Sequence, residues 1–240
     1  MQALSERSVW GVTATFALPP AAVLGIVLGF TAGWPSALAV SVVLAAALCA
    51  WALFAGDAVV AASIGGREAD PRTDARLWNL VEGLSIGAGV RQPRLLVVDS
   101  PGLNALAAGT SPNRAVLAVT TGLLDELKRI ELEGVLAEEI FLIRHGHTRP
   151  ATVVAATWGV GRRFAVPADR DAVADLGAVS LTRYPPALAS ALEKVEAKGA
   201  VVAGQTSRLA HLWLADPRPD AVVARGRLPL SERVEALREL

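Results

Sequence analysis

Cysteine is nearly absent. The 240 residues hold one, Cys49, inside an apolar run. An intramolecular disulfide is therefore impossible, and a cysteine-based metal site has no basis. Net charge is absent too, with 23 basic residues balanced by 23 acidic ones. No broad positive field draws the chain to nucleic acid. Internal repeats and low-complexity linkers are missing as well. The most informative absence is local: from Ser8 to Gly56 there is no charged residue at all.

What fills that gap is hydrocarbon. The chain is 52% hydrophobic, with mean hydropathy +0.42. One membrane-crossing helix needs roughly 20 residues, so the uncharged run suits two. The expected spans are about 9–30 and 35–56, joined by the turn "TAGWPS", with Pro19 and Pro20 expected to kink the first. A cleavable leader needs a basic start, which "MQALSER" does not clearly supply. Small residues in the spans (Gly25, Gly29, Gly33; Ala45–Ala47) allow close helix packing. The turn carries no Lys or Arg, whereas Arg7, Arg67, Arg72 and Arg76 flank the spans. The positive-inside rule then puts the soluble part in the cytoplasm. The expected division is a transmembrane hairpin, 1–64, and a soluble domain, 65–240.

Beyond Asp57 the pattern changes. In "READPRTDARLWNLVEGLSIGAGV", Leu77, Leu80, Val81 and Leu84 share one helical face. "PRLLVVD" reads as a short strand, and "NALAAGTSPNRAVLAVTTG" as strand, turn and strand. "GLLDELKRIELEGVLAEEIFLIRHGH" is helical with a break near Lys128–Arg129. "ATVVAATWGVG" (151–161) is too short to span a bilayer and suits a packed or surface-dipping helix. "DRDAVADLGAVSLTRYPPALASALEKVEAKG" gives two helices split at Pro185–Pro186. "RLAHLWLADPRPDAVVARGRLP" reads as mostly irregular, and "LSERVEALREL" as a closing helix capped by Ser231. The soluble part is α+β, mainly helical with a small β-sheet.

The segments "RLWNLVEGLSIGAGVRQPRLLVVDSPGLNALAAG", "AVTTGLLDELKRIELEGVLAEE", "DAVADLGAVSLTRYPPALASALEKV" and "HLWLADP…LPLSERVEALREL" fall in one order along the chain. In that order they resemble the HtpX-like membrane zinc metallopeptidases, relatives of the CAAX prenyl proteases. The resemblance covers nearly the whole chain. It implies a gluzincin-like peptidase domain behind a two-helix membrane hairpin, with zinc as cofactor in active relatives.

The family's zinc helix reads His-Glu-x-x-His. Its two histidines lie at i and i+4, so both reach one metal, and the Glu acts as general base on the metal-bound water. The resemblance places the first histidine position at Glu138, the general base at Glu139 and the second histidine at Leu142. The third-ligand position, Glu in the family, is Asp171, followed by Asp175. The family tail "HPPleeR" becomes "RLPLSER", with Arg227 in place of His.

A carboxylate can ligate zinc; a leucine cannot. Asp171 is shorter than Glu by one carbon–carbon bond, about 1.5 Å. A catalytic zinc needs three protein ligands and an open position. The expectation is therefore a degenerate member without zinc, a pseudoprotease acting as a binding, regulatory or structural membrane protein. Its partners would be the lipid bilayer and membrane proteins or peptide segments.

An active zinc endopeptidase with an unorthodox metal site is the alternative, built from Glu138, Asp171 and a histidine. For "RHGH" the plainer reading is a helix C-terminus, where imidazole and Arg144 suit the dipole. Glu138 and Glu139, if buried together, would have a raised pKa between them. Asn104 and Ala105 lie where the resemblance implies a substrate-pairing edge able to take a peptide as an added strand.

Overall fold

The computed structural model describes residues 2–157, 169–218 and 227–240, without the side chains of residues 2–8 and 32. Two long helices open the chain, α1 (Gln2–Ala32) and α2 (Trp34–Phe54). Val9–Thr31 and Trp34–Phe54 are long and apolar enough to cross a membrane, and most of their surface faces outward. The expected spans agree with these within two residues. α1 continues through Pro19 and Pro20. The chain reverses at Gly33, whose φ of +88° falls in a region open chiefly to glycine.

Gly25 and Gly29 set how closely the hairpin closes. A Cβ on Gly25 would lie 2.4 Å from the Ser41 hydroxyl, and one on Gly29 would lie 2.6 Å from the Trp34 ring. The two glycines therefore face α2 within the hairpin.

The rest of the chain is built on a mixed four-stranded sheet: β1 (Arg67–Glu68), β2 (Arg94–Val98), β3 (Ala105–Ala108) and β4 (Val116–Thr120). The order is β1-β2-β4-β3. β2 and β4 run parallel, from Arg94 opposite Val116 to Val98 opposite Thr120. β3 is antiparallel to β4, with Leu106 opposite Ala118. Side chains alternate across a strand, and here both faces are covered. Leu95, Val97, Leu117 and Val119 meet the core beneath α4 (Ala75–Ala88) and α6 (Arg129–Arg144). Leu96, Val98, Val116 and Ala118 meet α3 (Gly56–Ile64) and α7 (Thr148–Ala156). Burial on both sides is why the strands read as apolar runs rather than as alternating ones.

The hairpin is stapled to one end of this sheet. Asp57, three residues past α2, accepts from the Thr110 backbone N–H at 2.6 Å and from its hydroxyl at 2.9 Å. Thr152 accepts from the Gly109 N–H, and Thr148 donates to the Gly109 carbonyl. α7 covers Val9, Val12 and Ala52 with Val153 and Val154. The short apolar helix thus packs on the foot of the hairpin; residues 158–161 of that segment lie outside the described residues. α3 falls in the stretch assigned above to the hairpin, yet Val60 and Ile64 pack under the sheet.

α5 (Thr121–Glu126) and α6 are separated at Leu127–Lys128, as the sequence predicts. α6 is the central helix. Leu132, Val135, Leu136, Ile140 and Ile143 are fully buried. Its first turn is fixed by Glu131, which accepts from the Lys128 N–H and from Lys194 and Ser190 of α9 (Pro185–Lys198). α8 (Arg170–Thr182) lies against it at Gly177, where a Cβ would fall 2.1 Å from the Phe141 ring. That close approach brings Asp171 and Asp175 beside α6. The closing helix α10 runs Leu230–Arg238. It begins before Ser231, so Ser231 is not its cap. Pro229, with its preset φ, holds the entry, and no side chain among the described residues caps the helix.

Candidate functional site

Glu138 and Glu139 sit in the middle of α6, 1% and 0% exposed. Leu142, one turn on, is also fully buried and packs as hydrocarbon. Opposite them α8 presents Asp171 and Asp175, and the C-terminal segment delivers Arg227 and Arg233. All are withdrawn from solvent. Arg233 is the keystone. Its Nη2 lies 2.9 Å from Glu138 Oε2 and 2.5 Å from Asp175 Oδ1, and its Nε donates to Asp175 Oδ2 at 2.9 Å. One guanidinium thus ties α6, α8 and α10 together.

Arg227 holds the other carboxylate. Its Nε is 3.1 Å from Asp171 Oδ2, and its Nη1 donates to the Trp213 carbonyl at 2.6 Å. Its Nη2 donates to the Leu214 carbonyl. Arg170 Nη1 reaches Asp171 Oδ1 at 3.2 Å, and the Leu228 N–H adds a further bond to Oδ2. Among the described residues the cluster has four carboxyl groups and three guanidinium groups. One proton held on the acid side makes it neutral.

That proton belongs to the adjacent pair Glu138 and Glu139, whose carboxyls burial raises to about 8 and about 7. Neither oxygen of Glu139 has a hydrogen-bond partner of good geometry among the described residues. Burial pushes its carboxyl up to about 7 against the pull of Arg170, Arg227, Arg233 and, weakly, the Ala107 N–H. Burial also raises Glu138, opposed by Arg233. Asp171 moves the other way: burial raises it, but Arg227, Arg170 and Arg233 together bring it below its usual value.

These residues do not fit a zinc ion. Leu142 has no lone pair. Glu138 and Asp171 already spend oxygens on guanidinium groups, and a dication beside buried guanidinium groups would be repelled. Among the described residues no group of three or more His, Cys, Asp or Glu side chains is placed to hold a metal. Two of the three histidines stand elsewhere. His145 closes α6 and its Nδ1 is 3.0 Å from the Phe141 carbonyl, as a C-terminal cap requires. His211 is buried with its Nε2 2.8 Å from the Ala151 carbonyl, on α7. Neither joins Glu138 and Asp171.

Sequence reasoning found Arg227 as a substitution but not its role, and it missed Arg170 and Arg233. A signal for Arg233 existed. It falls at i+3 from Leu230, beside Val234 and ahead of Leu237, on the apolar stripe of α10. A charge on a core-facing stripe demands a buried partner.

Asn104 and Ala105 are fully buried. β3 does lie at the edge of the sheet, but at this point the edge is closed. The Leu214 N–H donates to the Ala105 carbonyl at 2.7 Å, and Leu106 bridges Trp213. The Asn104 side chain donates to the Ala200 and Ala215 carbonyls and accepts from the Ala215 N–H. Here it acts as a latch between loops. An added peptide strand at Asn104–Ala105 would first have to displace residues 213–215.

The family model for peptidase family M48 matches residues 71–207. The chain belongs to peptidase family M48. Among its relatives, "Protease HtpX homolog" of Tropheryma whipplei (strain Twist) is 32% identical over 261 aligned positions, covering 90% of this chain and 89% of its own length. The "Protease HtpX homolog" of Dictyoglomus thermophilum is 33% identical, covering 76% of this chain and 75% of its own. That of Streptococcus thermophilus (strain ATCC BAA-250 / LMG 18311) is 28% identical, covering 78% and 81%. At 90% of this chain, the similarity to the Tropheryma whipplei relative reaches beyond the family match into the N-terminal apolar helices, which are consistent with membrane anchoring.

Proposed function

We propose that this M48 homologue is a membrane-anchored pseudoprotease, with residues 65–240 as a soluble domain on the cytoplasmic side that binds, regulates or supports other membrane proteins or peptide segments. One observation carries the reading. At the three positions where the family pattern places zinc ligands, this chain has an alkyl group and two carboxylates already paired with arginine. Without a metal nothing lowers the pKa of water towards 7. Glu139, in the general-base position, then has no activated nucleophile to serve.

The remaining architecture is suited to a scaffold. The guanidinium groups replace the positive charge that a metal would bring between α6 and α8, so the domain closes on itself without one. The small lysine and arginine bias around the hairpin supports the cytoplasmic placement.

The test is metal content and proteolysis together. The full chain, purified in detergent and supplied with zinc, is expected to hold well under 0.1 zinc per chain and to leave casein intact. One zinc per chain with chelator-sensitive cleavage would establish the opposite reading, an active zinc endopeptidase.

A further inference from the structure

A pocket of about 430 Å3 lies at the end of the sheet nearest the hairpin. Its walls include Asp57, Trp78, Arg91, Gln92, Arg94 and Arg114. Three of these are arginines. Arg91 is exposed, and no ion pair or hydrogen bond engages it among the described residues. Gln92 Nε2 is a buried donor without a partner among the described residues. Arg94 gives Nε and Nη2 to Glu68 and keeps Nη1 unengaged, with 56% of its side chain exposed. Arg114 is 47% exposed and pairs loosely with Asp57 at 3.4 Å. The pocket thus offers a surplus of N–H donors. Its one carboxylate, Asp57, is committed to Thr110 and Arg114.

The position of the pocket names its ligand. Asp57, Ala58 and Ala61 belong to α3, which begins two residues after α2 ends. The Arg114 guanidinium lies 6.0 Å from the centre of the Phe54 ring, at the last residue of α2. Phe54 is 70% exposed, as suits an aromatic at the border of the hydrocarbon layer. A donor-rich pocket at that border faces lipid headgroups, and its volume of about 430 Å3 has room for one phosphodiester.

We propose that this pocket binds the phosphate headgroup of an anionic phospholipid, with Arg91 and Arg94 as charged donors, Gln92 as a neutral one and Trp78 as the apolar wall. Such basic pockets beside membrane helices recognise anionic headgroups through charge-assisted hydrogen bonds. The site rests on the hairpin lying in a bilayer, not on the loss of catalysis.

The experiment uses the full chain in detergent, with bound lipid counted by native mass spectrometry. Wild type is expected to retain one phosphatidylglycerol per chain at least tenfold more tightly than phosphatidylcholine. Arg91→Glu, an exposed and unpaired position, is expected to abolish that preference. Equal retention of the two lipids, or an unchanged Arg91→Glu variant, would overturn the proposal. Displacement by glycerol 3-phosphate or inorganic phosphate at equal concentration would also overturn it, by assigning the site to soluble phosphate. Flotation with phosphatidylcholine vesicles reads anchoring separately. Failure to float would sink the anchoring and the lipid site together; flotation without headgroup preference would sink the lipid site alone.

Discussion

Glu139 carries the clearest consequence at the level of one residue. It is a carboxyl sealed from water, with no ion-pair partner of its own among the described residues. Burial lifts it from its ordinary 4.5 to about 7. Between those values the folded protein holds a proton that the unfolded chain has released. Stability therefore falls as pH rises through that window. Glu139→Gln removes the share of this dependence that Glu139 carries, because an amide does not titrate, and leaves that of Glu138, which burial also raises. By pH 8 the variant is expected to be more stable than wild type by roughly 3 kcal/mol, since each tenfold change in proton affinity is worth about 1.4 kcal/mol. Chemical unfolding of both proteins at pH 5 and pH 8 measures it. Identical pH profiles would mean that Glu139 is ionised in the fold.

The sequence is informative about this residue only in part. "LAEE" shows two adjacent carboxylates on a helix rich in leucine and isoleucine, which predicts a raised pKa if the two are buried together. Which of the two keeps a salt bridge is not legible there. That depends on Arg233, which is 95 residues away and reaches Glu138 only through the packing of α10.

Among the elements, α6, α8 and α10 meet at that arginine. Removing one partner of a buried ion pair is costly because the remaining charge stays in low dielectric. Arg233→Leu would strand Glu138 and Asp175 together. The expected loss is roughly 3–5 kcal/mol, read as a lower urea midpoint with unchanged slope. A loss below 1 kcal/mol would show that the three helices do not depend on the guanidinium.

Local pattern reveals the elements themselves well. The apolar face of α4 comes from its period, the division between α5 and α6 from Lys128–Arg129, and the start of α9 from two prolines. Ser231 fails as a cap because Pro229 has already set the helical entry. β3 is legible as a strand at the sheet edge. Its closure by Trp213 and Leu214 is not, since that contact joins residues about a hundred positions apart.

For the whole molecule, two kinds of surface are separated along the chain. The hairpin buries little and turns hydrocarbon outward, while the rest of the chain covers both faces of its sheet. Threonine and aspartate staples join them at Gly109 and Thr110. The family relationship covers residues 71–207, which hold most of the sheet and the helices packed on it. A metal-dependent peptidase needs an open position at its centre. Here the space between α6 and α8 holds the chain's own cations, Arg227 and Arg233.

The most direct test is diffraction at the zinc absorption edge from crystals of the full chain grown with zinc. The expected map shows the Arg233 guanidinium between Glu138 and Asp175 and no anomalous peak in the cluster. A strong peak beside Glu138 and Glu139, with Arg233 or Arg227 swung away, would contradict the account.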